Sequence, residues 1–230
     1  RTPWNIAERS GDERALTGYR FYANLRMQLM PYLRREAAWC VAAKQPMLRA
    51  MLLDYQEVRD VHGLWDQYLF GRDLLVAPII QEGATSRTVT LPGHRWWHLF
   101  ENRWYEAGTH EVRASLEEIP VFVRVGGVVP IAFDREVRLG AAMPSDIAAP
   151  RTQALLVAGL CEGQSIDHDG LTLTMRDAAV LIDGELRNTR MILFSDRPDT
   201  VIINGVSAPV LETVIHNGIM YAVELPSRDV

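Results

Sequence analysis

Arg49 stands inside the apolar run from Met47 to Leu53, and Asp54 follows that run directly. A buried guanidinium is costly unless it is paired, so Arg49 reads either as half of a structural salt bridge or as a cation beside a pocket. Asp54 either caps the segment from Gln56 or reaches a ligand. A second group is aromatic: Trp96, Trp97, Trp104 and Tyr105. Such rings fit the apolar faces of pyranoses and could form a sugar-stacking platform. Side chains alternate across a strand, so Trp96 and Trp97 point to opposite faces and only one of them can be exposed; core packing is the competing reading. Trp97, Trp104, Arg49 and Asp54 are therefore the candidate substrate-binding residues.

The other reactive types are dispersed. His62, His94, His98, His110, His168 and His216 show no HExxH spacing and no cysteine partners, so no metal is expected. Cys40 and Cys161 lie far apart and read as two buried thiols. Glu162, Asp167 and Asp169 could gather around a hard cation, but they supply too few oxygens, and the segment reads as a turn. Gly126-Gly127 lacks the following helix that a phosphate loop requires and reads as a strand break. No cofactor is expected.

The chain has 230 residues, 48% hydrophobic and 23% charged, with net charge -5 and pI near 5.7. That is enough for one sizeable core or two small ones. The charge gives no attraction to nucleic acid or anionic lipid without a basic patch, and Arg34-Arg35 reads as a solvated helix face. No apolar run reaches the roughly 20 residues that span a bilayer, so neither nucleic acid nor membrane is expected as a partner. Arg1-Thr2-Pro3-Trp4 does not read as a signal peptide; the compartment stays open, with the cytoplasm slightly favoured.

Positioning elements follow from periodicity. Tyr22, Leu25, Leu29, Tyr32 and Leu33 recur at three- and four-residue steps, which predicts a helix over 11–43, with Ser10 and Glu13 as a capping box and Pro31 as a kink. Met47 to Leu53 predicts a strand buried on both sides, and Gln56 to Phe70 a helix ended by Gly71. Beyond Gly71 short strands alternate with turn residues: 74–80, 87–91, 95–100, 112–114, and 120–131 split at Gly126-Gly127. After a loop over 141–150 come 152–157, 171–175, 179–182, 191–194, 200–203, 210–215 and 219–225. Asn204-Gly205 and Asn217-Gly218 predict hairpin turns. Such spacing belongs to β-sandwiches.

The order of these segments resembles glycoside hydrolase family 31. Tyr19-Arg20-Phe21 with Leu29-Met30-Pro31-Tyr32-Leu33 is similar to that family's "RY…LLPYLY" helix, and Gln45 to Arg49 to its "G-x-P-V-M-R-P" strand, the eighth of its barrel. Asp66 to Pro78 resembles "DQYMLGxDLLVAPV". Arg87 to Gly93 with Trp96-Trp97 resembles "R-x-V-x-LP-x-G-x-W", and Ile119 to Pro130 resembles "IPVFVRAGxIIP". The "DDG" turn of the distal sandwich has a counterpart in Asp167-His168-Asp169-Gly170.

The resemblance implies a mainly β fold: two small antiparallel β-sandwiches, preceded by the α/β end, the last helix and strand, of a TIM barrel. Residues 1–70 would be the barrel remnant, 71–143 the proximal sandwich and 144–230 the distal one. The implied parent is a retaining α-glycosidase of α-glucoside or α-xyloside type, whose two carboxyl groups stand about 5 to 5.5 Å apart on barrel strands. Its nucleophile motif "W-x-D-M-x-E", its acid/base motif "GDN" and its "RxHG" histidine do not occur here. A barrel takes about 250 residues, so this chain is expected to be inactive by itself. The partners implied are an α-linked glycoside or oligosaccharide, reached through the parent enzyme, and a catalytic barrel in cis or as a separate chain. Exposed apolar edges would favour self-association. The alternative is a stand-alone carbohydrate-binding or interaction module.

Overall fold

The computed structural model describes residues 2–115, 118–144, 152–168, 170–185 and 189–226. Three helices lead: α1 (Pro3–Ser10), α2 (Arg14–Gln28) and α3 (Met30–Ala43). Helix α1, which periodicity did not predict, starts at Thr2, whose hydroxyl accepts the Asn5 N–H at 3.3 Å, and stops at left-handed Gly11 (φ 67). Ser10 belongs to its last turn, so the expected capping box is absent; Asp12 Oδ1 takes the Arg14 N–H instead, at 2.9 Å. Pro31 breaks the second helical run rather than kinking it. Leu29 separates α2 from α3, and the proline occupies the first turn of α3, where a missing N–H costs nothing.

The next two expectations also change. The strand predicted over 47–53 shrinks to β1 (Leu48–Ala50), with Arg49 inward and its neighbours outward, because β1 is a sheet edge; α4 (Met51–Asp54) follows. No helix forms over 56–70. One 3-10 turn at Arg59–Val61 leads to β2 (Tyr68–Phe70), whose Leu69 enters one core while Tyr68 and Phe70 pack against another. That period of two is a strand's. Gly71 is left-handed (φ 63) as a hairpin residue joining β2 to β3 (Leu74–Val76), its N–H donating to Met47 O at 2.8 Å.

The protein is mainly β. A first sheet runs β1-β2-β3-β8-β5-β6, adding β5 (Trp96–His98), β6 (Arg103–Tyr105) and β8 (Val121–Arg124). A ribbon of β4 (Ser86–Leu91) and β7 (Gly108–Arg113) packs on one of its faces, with Val89, Leu91 and Val112 meeting Leu75, Trp96 and Phe122. A second sheet runs β17-β18-β14-β10-β9: β9 (Gly127–Phe133), β10 (Thr152–Ala158), β14 (Thr189–Phe194), β17 (Leu211–Val214) and β18 (Ile219–Glu224). A third runs β11-β12-β13-β15-β16: β11 (Ser165–His168), β12 (Leu171–Arg176), β13 (Ala179–Gly184), β15 (Thr200–Ile203) and β16 (Val206–Ala208). Periodicity missed the short strands β6, β11 and β16.

These sheets stack into two sandwiches laid face to face. Leu155 and Val157 of β10 enter a core with Leu173, Ile182 and Val201 of the third sheet, while Ala154, Leu156 and Ala158 enter the core shared with Val123 and Trp97 of the first sheet. The second sheet is therefore covered on both faces, which is why all seven residues of β9 are buried. Helices α2 and α3 pack on β9 and close the side of the shared core through Leu25 and Tyr32. Gly126 (φ 70), between β8 and β9, is where the chain leaves the first sheet for the second. Two strand pairs, β10 with β14 and β13 with β15, are parallel, an exception to the antiparallel pattern expected. Asn204-Gly205 forms its hairpin turn (φ 47 and 83). Asn217-Gly218 instead lies in a four-residue connection between Val214 and Ile219, with neither residue left-handed. Asp169 and residues 145–150 of the loop over 141–150 lie outside the described residues. Among the described residues no helix is long and apolar enough to cross a membrane.

Candidate functional site

Tyr32, Arg35 and Glu36 sit at i, i+3 and i+4 on α3 and so share one face. That face meets the β2–β3 hairpin. Tyr32 Oη donates to Phe70 O (2.7 Å) and accepts from the Asp73 N–H (3.2 Å). Glu36, with no exposed surface, accepts from the Arg72 N–H (2.9 Å), from Arg72 Nε (3.0 Å) and Nη2 (2.9 Å), and from Arg35 Nε (2.8 Å). Arg35 also ion-pairs with Asp73, which accepts from Arg124 Nε at 2.8 Å. Burial works against the Glu36 carboxylate, but the hydrogen bonds from Arg72 and the charge of Arg35 outweigh it and hold its pKa below the ordinary glutamate value.

Arg49 and Asp54 are brought together beside this node. The guanidinium donates through Nε (3.0 Å) and Nη2 (2.7 Å) to the two carboxylate oxygens of Asp54, and it also reaches Pro46 O (3.2 Å) and Gly71 O (3.1 Å). Arg49 and Arg72 both lie over the Trp39 ring, 5.6 and 5.1 Å from its centroid. Every carboxylate here accepts hydrogen bonds from an arginine. The arrangement is suited to clamping a helix to a hairpin. Sequence reasoning found Arg49 and Asp54 but missed Glu36, Arg72 and Asp73; the i, i+3, i+4 spacing of Tyr32, Arg35 and Glu36 was the available signal.

Gly71 is the tightest point of the clamp. A Cβ there would stand 2.3 Å from Tyr32 Oη and 2.7 Å from Glu36 Cγ, in a backbone conformation that disfavours any side chain. Gly71→Ala is expected to destabilise the protein by about 2 kcal/mol or more, because both the left-handed strain and the displaced hydroxyl act in the same direction. Chemical denaturation checks it; a shift under about 0.5 kcal/mol would mean that the hairpin moves freely.

The aromatic candidates separate. Trp97 is 1% exposed, part of the shared core, with its N–H donating to Asn102 Oδ1 at 2.6 Å, so neither ring face is open. Trp96 is equally buried on the opposite face, in the core under the β4–β7 ribbon. Trp104 is half-buried between Arg95 and Gly159. Among the described residues no group of three or more histidine, cysteine, aspartate or glutamate side chains could hold a metal ion. Glu162 instead accepts from the Asp177 N–H, and Asp167 from Thr172 Oγ1. The expectation of two buried thiols is not met: Cys40 is partly exposed, and Cys161, at the turn before β11, is exposed. An apolar cavity of about 190 Å³ between α2 and the first sheet, lined by Leu25, Leu29, Tyr68 and Val76 among others, contains no carboxylate.

Residues 44–129, from the end of α3 into β9, match the glycosyl hydrolase family 31 C-terminal domain. This stretch belongs to the C-terminal domain of glycoside hydrolase family 31. It is 32% identical over 150 residues to an isomaltosyltransferase of Sporosarcina globispora, covering 65% of this chain and 14% of that protein. It is also 35% identical over 124 residues to a 1,3-alpha-isomaltosidase of Kribbella flavida, covering 54% and 17%. The chain thus spans about one-seventh to one-sixth of these relatives. The cycloalternan-forming enzyme of Listeria monocytogenes, solved with a pentasaccharide substrate, superposes with a TM-score of 0.82 at 24% identity over 99% of this chain and 24% of its own. That likeness extends the shared fold to the third sheet. The clamp around Glu36 joins α3 to the start of this family 31 domain.

Proposed function

We propose that this chain is the supporting C-terminal part of a retaining α-glycosidase acting on α-linked oligosaccharides, and that it does not cleave glycosides by itself. In this reading α1 to α3 (3–43) are the end of the catalytic barrel; the proximal sandwich runs from β1 to β8 (48–124) rather than starting at 71, and the distal one from β9 to β18 (127–224) rather than at 144, because β1 and β2 pair into the first sheet and β9 into the second. The observation that carries the reading is where apolar surface remains open. Of the exposed large apolar side chains, most lie within the first 65 residues, among them Trp4, Tyr19, Val41, Leu48, Leu53 and Trp65, with Ile80, Val206, Leu211, Val214 and Ile219 elsewhere, and β1 is an edge strand. Apolar side chains left open in such numbers in one part of a chain favour a covering partner, and the relatives' much greater length leaves room for one. Left alone, the same side chains favour self-association. The catalytic motifs of the family being absent from the sequence, incubation of the 230-residue chain with aryl α-glucoside and α-xyloside is expected to release no aglycone above the uncatalysed rate. Turnover that disappears on Asp54→Ala would overturn the inactivity.

The stand-alone glycan-binding reading draws no support from Trp97, whose ring is enclosed.

A further inference from the structure

The outer strand of the first sheet meets the ends of β10 and β14 at Trp104. Its indole N–H donates to both oxygens of Asp196, at 2.9 and 3.0 Å, and the Arg95 guanidinium lies over its ring, 4.3 Å from the centroid. Gly159 (φ 55) closes on the ring from the other strand end, where a Cβ would stand 3.0 Å from Cζ2. Trp104 is therefore a prop between two opposite charges rather than a stacking surface. Asp196 is held by the indole and by Ser195 Oγ, which donates at 3.2 Å. Arg95 is held by the ring, and among the described residues no hydrogen bond or ion pair engages its guanidinium. Opposite charges this near a common ring would ordinarily pair with each other; here they stay apart, at the rim of one cavity.

That cavity has a volume of about 200 Å³, with Leu160, Met175, Val180 and Phe194 in its lining and Arg197 beside Asp196. We infer that it is a binding subsite for a neutral glycosyl unit of an α-linked gluco-oligosaccharide. Neighbouring hydroxyls of a pyranose can accept from the guanidinium fork and donate to the carboxylate at the same time, completing both groups. The C–H face of the ring suits the apolar lining. An anion would meet the charge of Asp196, and a cation would meet two arginines; a polyol meets neither penalty. The choice of a gluco-oligosaccharide rests on the proposed function, but the two fail separately, since one is read by turnover and the other by binding.

Calorimetric titration of the 230-residue chain with isomaltotriose and maltotriose is expected to show saturable binding. Arg95→Ala, which removes an exposed side chain, should weaken it about tenfold or more. Asp196→Asn should do the same while retaining an oxygen acceptor for the indole, with circular dichroism confirming that both variants fold. Absence of binding by the parent chain, or binding unchanged in Arg95→Ala, would overturn the assignment. Sulfate that displaces the sugar would assign the cavity to anions and overturn it equally. Should Asp196→Asn unfold, Arg95→Ala decides alone.

Discussion

Replacing Glu36 by alanine is expected to lower stability by about 3–5 kcal/mol, the largest single-residue effect anticipated away from the hydrophobic cores. The carboxylate has no exposed surface and takes four hydrogen bonds, three from Arg72 and one from Arg35. Removing it leaves the Arg72 guanidinium and N–H without their acceptor and leaves Arg35 to Asp73 alone. The other acceptors at the node are already engaged, Asp73 by Arg35 and Arg124 and Tyr32 Oη of α3 on both sides. Glu36→Gln keeps an acceptor and should fall between the parent and Glu36→Ala. Urea denaturation of the three proteins checks the order. A loss below about 1 kcal/mol for Glu36→Ala would mean that water screens the node.

The second large effect is a dependence on pH carried by His98. This side chain is 1% exposed, packed edge to face on Phe122 at 4.8 Å and near Phe100 and Tyr105. Its Nδ1 accepts the Glu101 N–H at 3.1 Å, which places the proton on Nε2, and Nε2 finds no hydrogen-bond partner among the described residues. Burial brings its pKa down from the ordinary 6.5 to about 4. Between those values the unfolded chain binds more protons than the folded one. The stability associated with neutral His98 is therefore complete above about pH 6.5 and is lost as the pH falls toward 4, by about 3 kcal/mol in all. His98→Phe suits the aromatic surroundings and removes the titration, although it gives up the Glu101 contact. Its unfolding free energy should fall less between pH 7 and pH 4.5 than that of the parent. Equal slopes for the two proteins would show that His98 does not carry the acid sensitivity.

Strands were legible in the sequence where their signal is local. Residues 200–203 and 121–133 carry β-branched runs bounded by turn residues, and they fold as strands, the second run broken at Val125-Gly126. The family 31 resemblance rested on similarly contiguous blocks, and the region 44–129 carries most of them. The segment 56–70 was misread because its polar and apolar residues fit a helical period over a short window. What makes 68–70 a strand is pairing with β3 and the bond from Gly71 to Met47 O, neither of which is local. Pro31 was ambiguous for the same reason, since a proline kinks a helix or opens one depending on how its neighbours pack.

By itself the sequence carried the β-sandwich spacing, the family 31 resemblance and the requirement that Arg49 find a partner, because alternation and turn residues, contiguous motifs and the cost of a buried charge each act within a few residues. Only the tertiary structure decided which charges meet. Glu36 reaches Arg72 across the α3–hairpin contact, and Arg95 and Asp196 come to the same tryptophan from different sheets. Only the tertiary structure, too, turned Trp97 from a candidate sugar platform into core, because the second sheet covers the face on which it lies. Stacking of sheets joins residues far apart in the chain, and no local pattern records which faces will be covered.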